Sequence, residues 1–229
     1  MTRRSGGAQH IPRPAQWIPG PEPTWRTRDL SILDNLDGVV ARLVDARPAT
    51  ALDSVDELSQ QWVADARASA VLIPLVDHEG VASVVLTRRA DHLRNHRGEV
   101  SFPGGRVEEG ETTWEAALRE AREEISLPSA AIEPIAQLSP LTTFVSNSLI
   151  TPVVGRVVGR PDLVPDPAEV ARVFTVPLAD LVREDTYFSE RWSSHRGDID
   201  IHFFHLDDET VWGATARMLH ALIDLVTAP

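Results

Sequence analysis

Three glutamates fall within about one turn of a single stretch, Glu120, Glu123 and Glu124. Residues 111–125 are dominated by strong helix formers. At about 100° per residue, Ala117, Ala121, Trp114, Ile125 and Leu118 make an apolar stripe about 100° wide. From Ala117, Glu120, Glu123 and Glu124 lie at about 300°, 240° and 340°, on the arc beside that stripe. Like charges at this spacing repel by a few tenths of a kcal/mol each, about 0.2–0.5, and by more when buried. Two readings answer that repulsion: a solvated acidic face, or oxygen donors for a hard divalent cation such as Mg²⁺ or Mn²⁺. Gly104 and Gly105, just upstream, allow close backbone approach and can present a carbonyl as a further oxygen ligand. A second chemistry lies in Arg88, Arg89, Arg94, His96 and Arg97, the densest basic cluster in the chain. Such a cluster suits phosphate groups, or else it is a solvated loop offsetting nearby carboxylates.

Elements must position these groups. Residues 70–76 and 81–87 are short β-branched runs joined by Asp77-His78-Glu79-Gly80, which predicts a hairpin. Residues 111–125 predict a helix, and 132–138, 150–158 and 173–176 predict strands. Residues 183–208 hold strand-like pieces near Tyr187 and over 199–206, and 214–226 predict a closing helix. His202 and His205, three apart on a strand, point to opposite faces, which argues against a two-histidine metal site. Upstream, apolar residues from Leu33 to Val44 recur at helical spacing. A further helix is expected over about 54–69, capped by Asp53 or Ser54. Residues 1–29 are rich in Pro, Gly and Arg, without periodicity, and read as a flexible arm, although Trp17 and Trp25 suggest that part of it packs. Strands and helices mix without regular βαβ alternation, which predicts an α+β layered fold.

Composition narrows the function. The chain has 229 residues and a net charge of −12, from 22 Lys+Arg against 34 Asp+Glu. That balance disfavours general nucleic-acid binding, which relies on neutralising phosphates. Hydrophobic residues at 42% are enough to fill a core, which excludes wholesale disorder. The absence of cysteine excludes disulfides, thiolate zinc sites and a Cys nucleophile, and it suits a reducing cytoplasm. No run approaches the roughly 20 apolar residues of a membrane span. Arg3 and Arg4 are not followed by the apolar region of a secretory signal, and five prolines between Pro12 and Pro23 oppose an amphipathic transit helix. The reading is a soluble cytoplasmic protein.

The full spacing adds a resemblance. Gly105, five residues, Glu111, seven residues, then Arg119-Glu120-Ala121-x-Glu123-Glu124-x-Ser126-Leu127 resembles the Nudix box. Every charged position is filled, and the one departure is Ser126 where the box has the glycine that ends its helix. Upstream, Leu86-Thr87-x-Arg89-Ala90, Arg94, Gly98 and Phe102-Pro103-Gly104-Gly105 resemble the signature of the coenzyme A diphosphatase branch, with Val85 in place of its first Leu. Residues 169–177 and 212–216 also look like that branch. The resemblance covers roughly residues 70–225.

The resemblance implies a Nudix α/β/α sandwich, a mixed sheet between helices with the box as loop-helix-loop. Its domains would be the arm (1–29), a helical addition (30–69) and the hydrolase domain (70–229). It implies metal ligands at Glu120, Glu123, Glu124 and the Gly104 carbonyl, with Mg²⁺ or Mn²⁺ as cofactor and Glu120 as general base. Arg119 and Glu111 would pair to hold the loop on the helix. Arg94, Arg89 and Arg97 would bind substrate; Glu169 could add a further carboxylate, as late loops do in some relatives, and is read here as structural in preference. The implied activity is hydrolysis of coenzyme A or its thioesters to 3′,5′-ADP and (acyl-)4′-phosphopantetheine. Alternatives are a Nudix hydrolase of ADP-ribose, NADH or a nucleoside triphosphate, or a nucleotide-sensing module without catalysis. Partners would be a small nucleotide, with no nucleic acid or membrane, and a second copy by analogy with relatives that form homodimers.

Overall fold

The computed structural model describes residues 4–46, 66–143, 147–194 and 197–229. Two sheets organise it. The larger is mixed: β2 (Arg67–His78) lies at its centre, parallel to β8 (Ser148–Val157) and antiparallel to β3 (Val81–Arg89). Three short strands extend it: β4 (Val100–Ser101) beside β3, β5 (Gly104–Arg106) beside β2, and β7 (Leu141–Thr143) beside β8. At its edges, β6 (Ile132–Gln137) pairs with β8 and β9 (Val170–Pro177) with β3. The hairpin expected at Asp77–Gly80 is present. Glu79 and Gly80 both have positive φ, 55° and 87°, as a two-residue turn with the right twist needs, and Asp77 Oδ1 accepts from the Gly80 N–H.

Strand alternation sorts the core into two layers. Ala70, Leu72, Val85 and Val153 face a helix, α2 (Thr113–Ile125), through its Ala116, Ala117, Ala121 and Ile125. Those alanines are small enough to seat the helix close against the sheet. Ile73, Leu75, Val84, Leu86 and Val154 face the other way. They meet α1 (Leu36–Ala46), the short α3 (Leu178–Leu181) and the closing helix, α4 (Gly213–Val226). The α+β sandwich expected from the sequence is therefore present.

The smaller sheet orders as β1 (Trp17–Pro19), β10 (Tyr187–Ser194), β11 (Gly197–His205) and β12 (Thr210–Trp212). One face sends Tyr187, His202 and Phe204 toward Trp25 and α4, where the His202 and His220 rings stack 4.0 Å apart. The opposite face carries Phe188, Glu190, Trp192 and Phe203. His202 and His205 do point to opposite sides, His205 lying edge-on to Phe188.

Two expectations change. The stretch read as a flexible arm is bound to the fold from Arg4 onward: β1 pairs with β10, Trp25 is 1% exposed, Gly6 N donates to Leu206 O and Arg28 reaches Asp224. Its Pro- and Gly-rich composition has no period because it follows an existing sheet edge. The helix expected over 54–69 lies mostly outside the described residues, and at its end residues 67–69 are strand, paired with β8 and β5.

Candidate active site

Helix α2 begins on a capping box. Thr112 Oγ1 accepts from the Glu115 N–H while the Glu115 carboxylate accepts from the Thr112 N–H, answering two N–H groups that the helix leaves free. The helix ends with Ser126 in the left-handed region, φ 57°, and the Leu127 N–H donates back to Ala121 O at 3.2 Å. Ser126 thus takes the conformation that a glycine would adopt more readily. These two ends place residues 119–124 across from β5.

The glycines are required by contact. A Cβ on Gly105 would fall on the Glu120 carboxylate, and one on Gly104 would strike the Ala70 carbonyl. Bare backbone therefore faces the helix. The Gly104 N–H addresses Glu124, donating to Oε2 at 3.3 Å.

Arg119 is the hub of the acidic turn. Its Nε and Nη2 grip Glu111 at 2.8 and 3.1 Å, and Nη2 also caps the Arg106 carbonyl at 2.9 Å. Its Nη1 reaches Glu120 at 2.9 Å and Glu123 at 3.3 Å. The expected Arg119–Glu111 pair thus exists and holds loop to helix, since Glu111 also accepts from the Glu108 N–H. The contact lowers the Glu111 carboxyl from its usual range.

Glu120 and Glu124 turn inward and Glu123 turns outward, its side chain 60% exposed. Burial raises the Glu120 carboxyl, against the opposing pull of Arg119. Glu124, 4% exposed, is pushed up to about 8, first by burial and further by Glu120 and Glu169. Arg89 and the Gly104 N–H oppose that rise. Arg89 Nη1 stands 3.9 Å from Glu124 Oε1, too far for a hydrogen bond, and its Nε is buried without a partner.

Glu169, read from sequence as structural, contributes its charge here: it raises both inner carboxylates, and its carbonyl accepts from the Ala90 N–H beside Arg89. The other basic residues separate. Arg94 is exposed and makes no ion pair among the described residues. Arg97 lines a different concavity, about 630 Å³, with Gln9, Arg88, Arg172 and Glu209. Arg88, which shares that concavity, and Arg89, which faces Glu124, project to opposite faces of β3. The aromatic face of the smaller sheet is occupied by the chain's own Arg13, stacked over Phe203.

Among the described residues no three acidic or histidine side chains converge as a ready metal cage. Each carboxylate instead turns to an arginine or an N–H of the protein. The donor set still fits a divalent ion. Glu120 and Glu124 offer hard oxygen donors, the second in a desolvated pocket, beside a backbone whose missing Cβ leaves room for them.

The model for the NUDIX domain matches residues 66–196. The chain belongs to the NUDIX domain family. As a Nudix hydrolase it acts on pyrophosphate bonds of a nucleotide derivative. Nudix hydrolase 3 of Caenorhabditis elegans is 37% identical over 176 residues, covering 69% of this chain and 73% of that one. An uncharacterized Nudix hydrolase NudL of Yersinia enterocolitica is 36% identical over 167 residues, covering 71% and 83%. Among solved structures, a MutT/nudix family protein from Enterococcus faecalis superposes with a TM-score of 0.47 at 19% identity, covering 69% of this chain and 61% of that one. The NUDIX domain of Shewanella oneidensis NrtR, complexed with ADP ribose, gives a TM-score of 0.41 at 19% identity, covering 54% and 85%. No helix among the described residues is long and apolar enough to cross a membrane.

Proposed function

We propose that this Nudix hydrolase cleaves the diphosphate of coenzyme A or its thioesters, releasing 3′,5′-ADP and (acyl-)4′-phosphopantetheine, with Mg²⁺ or Mn²⁺. One observation carries the reading: Arg89, from the upstream signature, and Glu124, from the box, face each other in one site although 35 residues separate them. Glu120 and Glu124 would hold the divalent ion, with Glu123 at the rim. When bound, the ion supplies the positive charge that offsets the charge gathering on the diphosphate. Arg119 fixes the rotamer of Glu120 through Nη1 and ties the helix to the Glu111 loop. Glu120 is assigned as the base that accepts a proton from the attacking water. Glu124 itself, 4% exposed, is shielded from bulk water. Arg89 and Arg94 are assigned to the substrate's phosphates, while Arg97 opens onto the concavity shared with Arg88.

The test is a substrate panel with each metal: coenzyme A, acetyl-coenzyme A, ADP-ribose, NADH and a nucleoside triphosphate, compared by kcat/KM. Release of 3′,5′-ADP with the highest kcat/KM for a coenzyme A compound supports the proposal. Efficient turnover of ADP-ribose or NADH beside idle coenzyme A overturns it in favour of another Nudix specificity. No turnover of any compound favours the nucleotide-sensing module.

A further inference from the structure

The cation beside Glu124 is held in an unusual way. The backbone of Arg89 is pinned on both sides, its N–H donating to Glu99 O at 2.9 Å and its carbonyl accepting from the Gly98 N–H at 3.2 Å. Its side chain is not. Nη1 lies 3.9 Å from Glu124, and Nε is buried without a hydrogen-bond partner, an arrangement that costs free energy while it lasts. Two arginines of the smaller sheet and its covering segment close their contacts: Arg191 meets Asp200 at 2.7 and 3.0 Å, and Arg13 meets Glu190 at 2.8 Å. Glu124 is equally under-committed, since its other partner is one N–H at 3.3 Å. A donor with spare hydrogens, next to a carboxylate that a divalent ion would claim, is placed to change partners without any movement of the main chain.

Building on the metal-dependent diphosphatase reading above, we propose that Arg89 is an exchangeable counter-ion: it balances Glu124 in the metal-free protein and transfers to the substrate's diphosphate when a divalent ion takes Glu124. The exchange couples the two ligands. Before substrate arrives, Arg89 repels the incoming ion and holds down its affinity. Once a diphosphate is present, that same charge is drawn away and satisfied, so each ligand favours the other reciprocally. The guanidinium suits this duty because its planar fork pairs with carboxylate or phosphate equally well.

The experiment uses the full chain and Mn²⁺ alone, with free Mn²⁺ followed by electron paramagnetic resonance, in the absence and presence of a non-hydrolysed diphosphate probe, methylenediphosphonate. Arg89→Gln is expected to bind Mn²⁺ about fivefold tighter than wild type without the probe, and to lose most of the tightening that the probe gives the wild type. In turnover its KM rises by roughly tenfold while kcat changes less. Arg89→Lys, which keeps the charge and loses the fork, is expected to bind Mn²⁺ as wild type does yet show weaker coupling to the probe. It also carries the test should the Gln variant fail to fold. Unchanged or weaker Mn²⁺ binding in a folded Arg89→Gln, or full probe coupling in Arg89→Lys, overturns the inference and leaves the diphosphatase reading standing. Wild type that binds no Mn²⁺ overturns that reading and the inference with it.

Discussion

Of the three glutamates that are almost wholly buried among the described residues, Glu190 and Glu124 are treated in opposite ways. Glu190, 1% exposed on the small sheet, accepts from Arg13 Nε at 2.8 Å and from Trp192 Nε1 at 2.9 Å. Glu124, 4% exposed on α2, has one N–H at 3.3 Å and a cation at 3.9 Å, and its carboxyl is pushed up to about 8. The first is a completed ion pair that fastens the N-terminal segment over the aromatic face of a sheet. The second is a charge that the fold has desolvated and left short of partners. A buried charge that is fully paired belongs to the architecture, whereas one kept short of partners is available to a ligand.

Substitutions can dissociate the two. Glu120→Gln is expected to cut turnover by about 10²–10⁴-fold, the usual worth of a placed base, while Tm stays close to wild type. Arg13→Ala is expected to do the reverse. It leaves the Glu190 carboxylate with Trp192 Nε1 alone and, because Arg13 is itself partly exposed, costs about 2 kcal/mol of stability, read by urea denaturation, with kcat little changed. Should Arg13→Ala unfold at the wild-type midpoint, the segment before β1 is not fastened by this pair. In chelator, the direct contrast is Glu190→Gln, expected to destabilise, against Glu124→Gln, expected to raise Tm by removing the cost of burying or protonating that carboxyl, while metal binding and turnover fall. Equal signs for the two variants would break the comparison.

Acid should separate the same regions. Burial first, then the stacked His220 ring, pull the His202 imidazole down to about 4 against its ordinary 6.5. Asp200 opposes that shift, Arg217 adds to it, and Tyr187 OH contacts His202 Nδ1 at 2.8 Å. The unfolded chain binds this proton near 6.5 and the folded chain near 4. The stabilisation is therefore complete above 6.5 and is lost as pH falls toward 4, amounting to about 2 kcal/mol by pH 5. His202→Phe is expected to flatten that part of the stability-versus-pH curve. A slope unchanged by the substitution assigns acid sensitivity to another group.

What the sequence disclosed follows from range of contact. The α2 stripe, the hairpin at Asp77–Gly80 and the Arg119–Glu111 pair depend on neighbours within one or two turns, so periodicity and spacing reveal them. The opposition of Arg89 and Glu124 depends on the register of β3 against β9, which shifts between Arg88 and Arg89, and no local pattern carries that. Arg97 is close to Arg89 in sequence, but it opens onto the concavity shared with Arg88, whose side chain leaves the opposite face of β3. The strands over 187–205 lack clean alternation because both faces are covered, one by Trp25 and α4, the other by the segment around Arg13. That segment carries no period of its own, since its strand borrows hydrogen bonds from β10.

The smallest expected effect tests how far the strain near the site matters. Ser126 holds φ 57° and ψ 24° at the end of α2, two residues past Glu124, where the box resemblance expects glycine. A side chain in that region costs roughly 1 kcal/mol or more, and glycine removes the cost while adding freedom to the unfolded chain, so the two contributions partly cancel. Ser126→Gly is expected to raise stability by about 0.5 kcal/mol, a shift in Tm of about 1–2 °C. The Leu127 N–H to Ala121 O bond and the burial of Leu127 already hold the helix end in place, so kcat should not move. A gain in kcat from this substitution would show that the helix end positions Glu124 imperfectly in the native protein, and that its shortage of partners arises partly from strain in the cap rather than from burial alone.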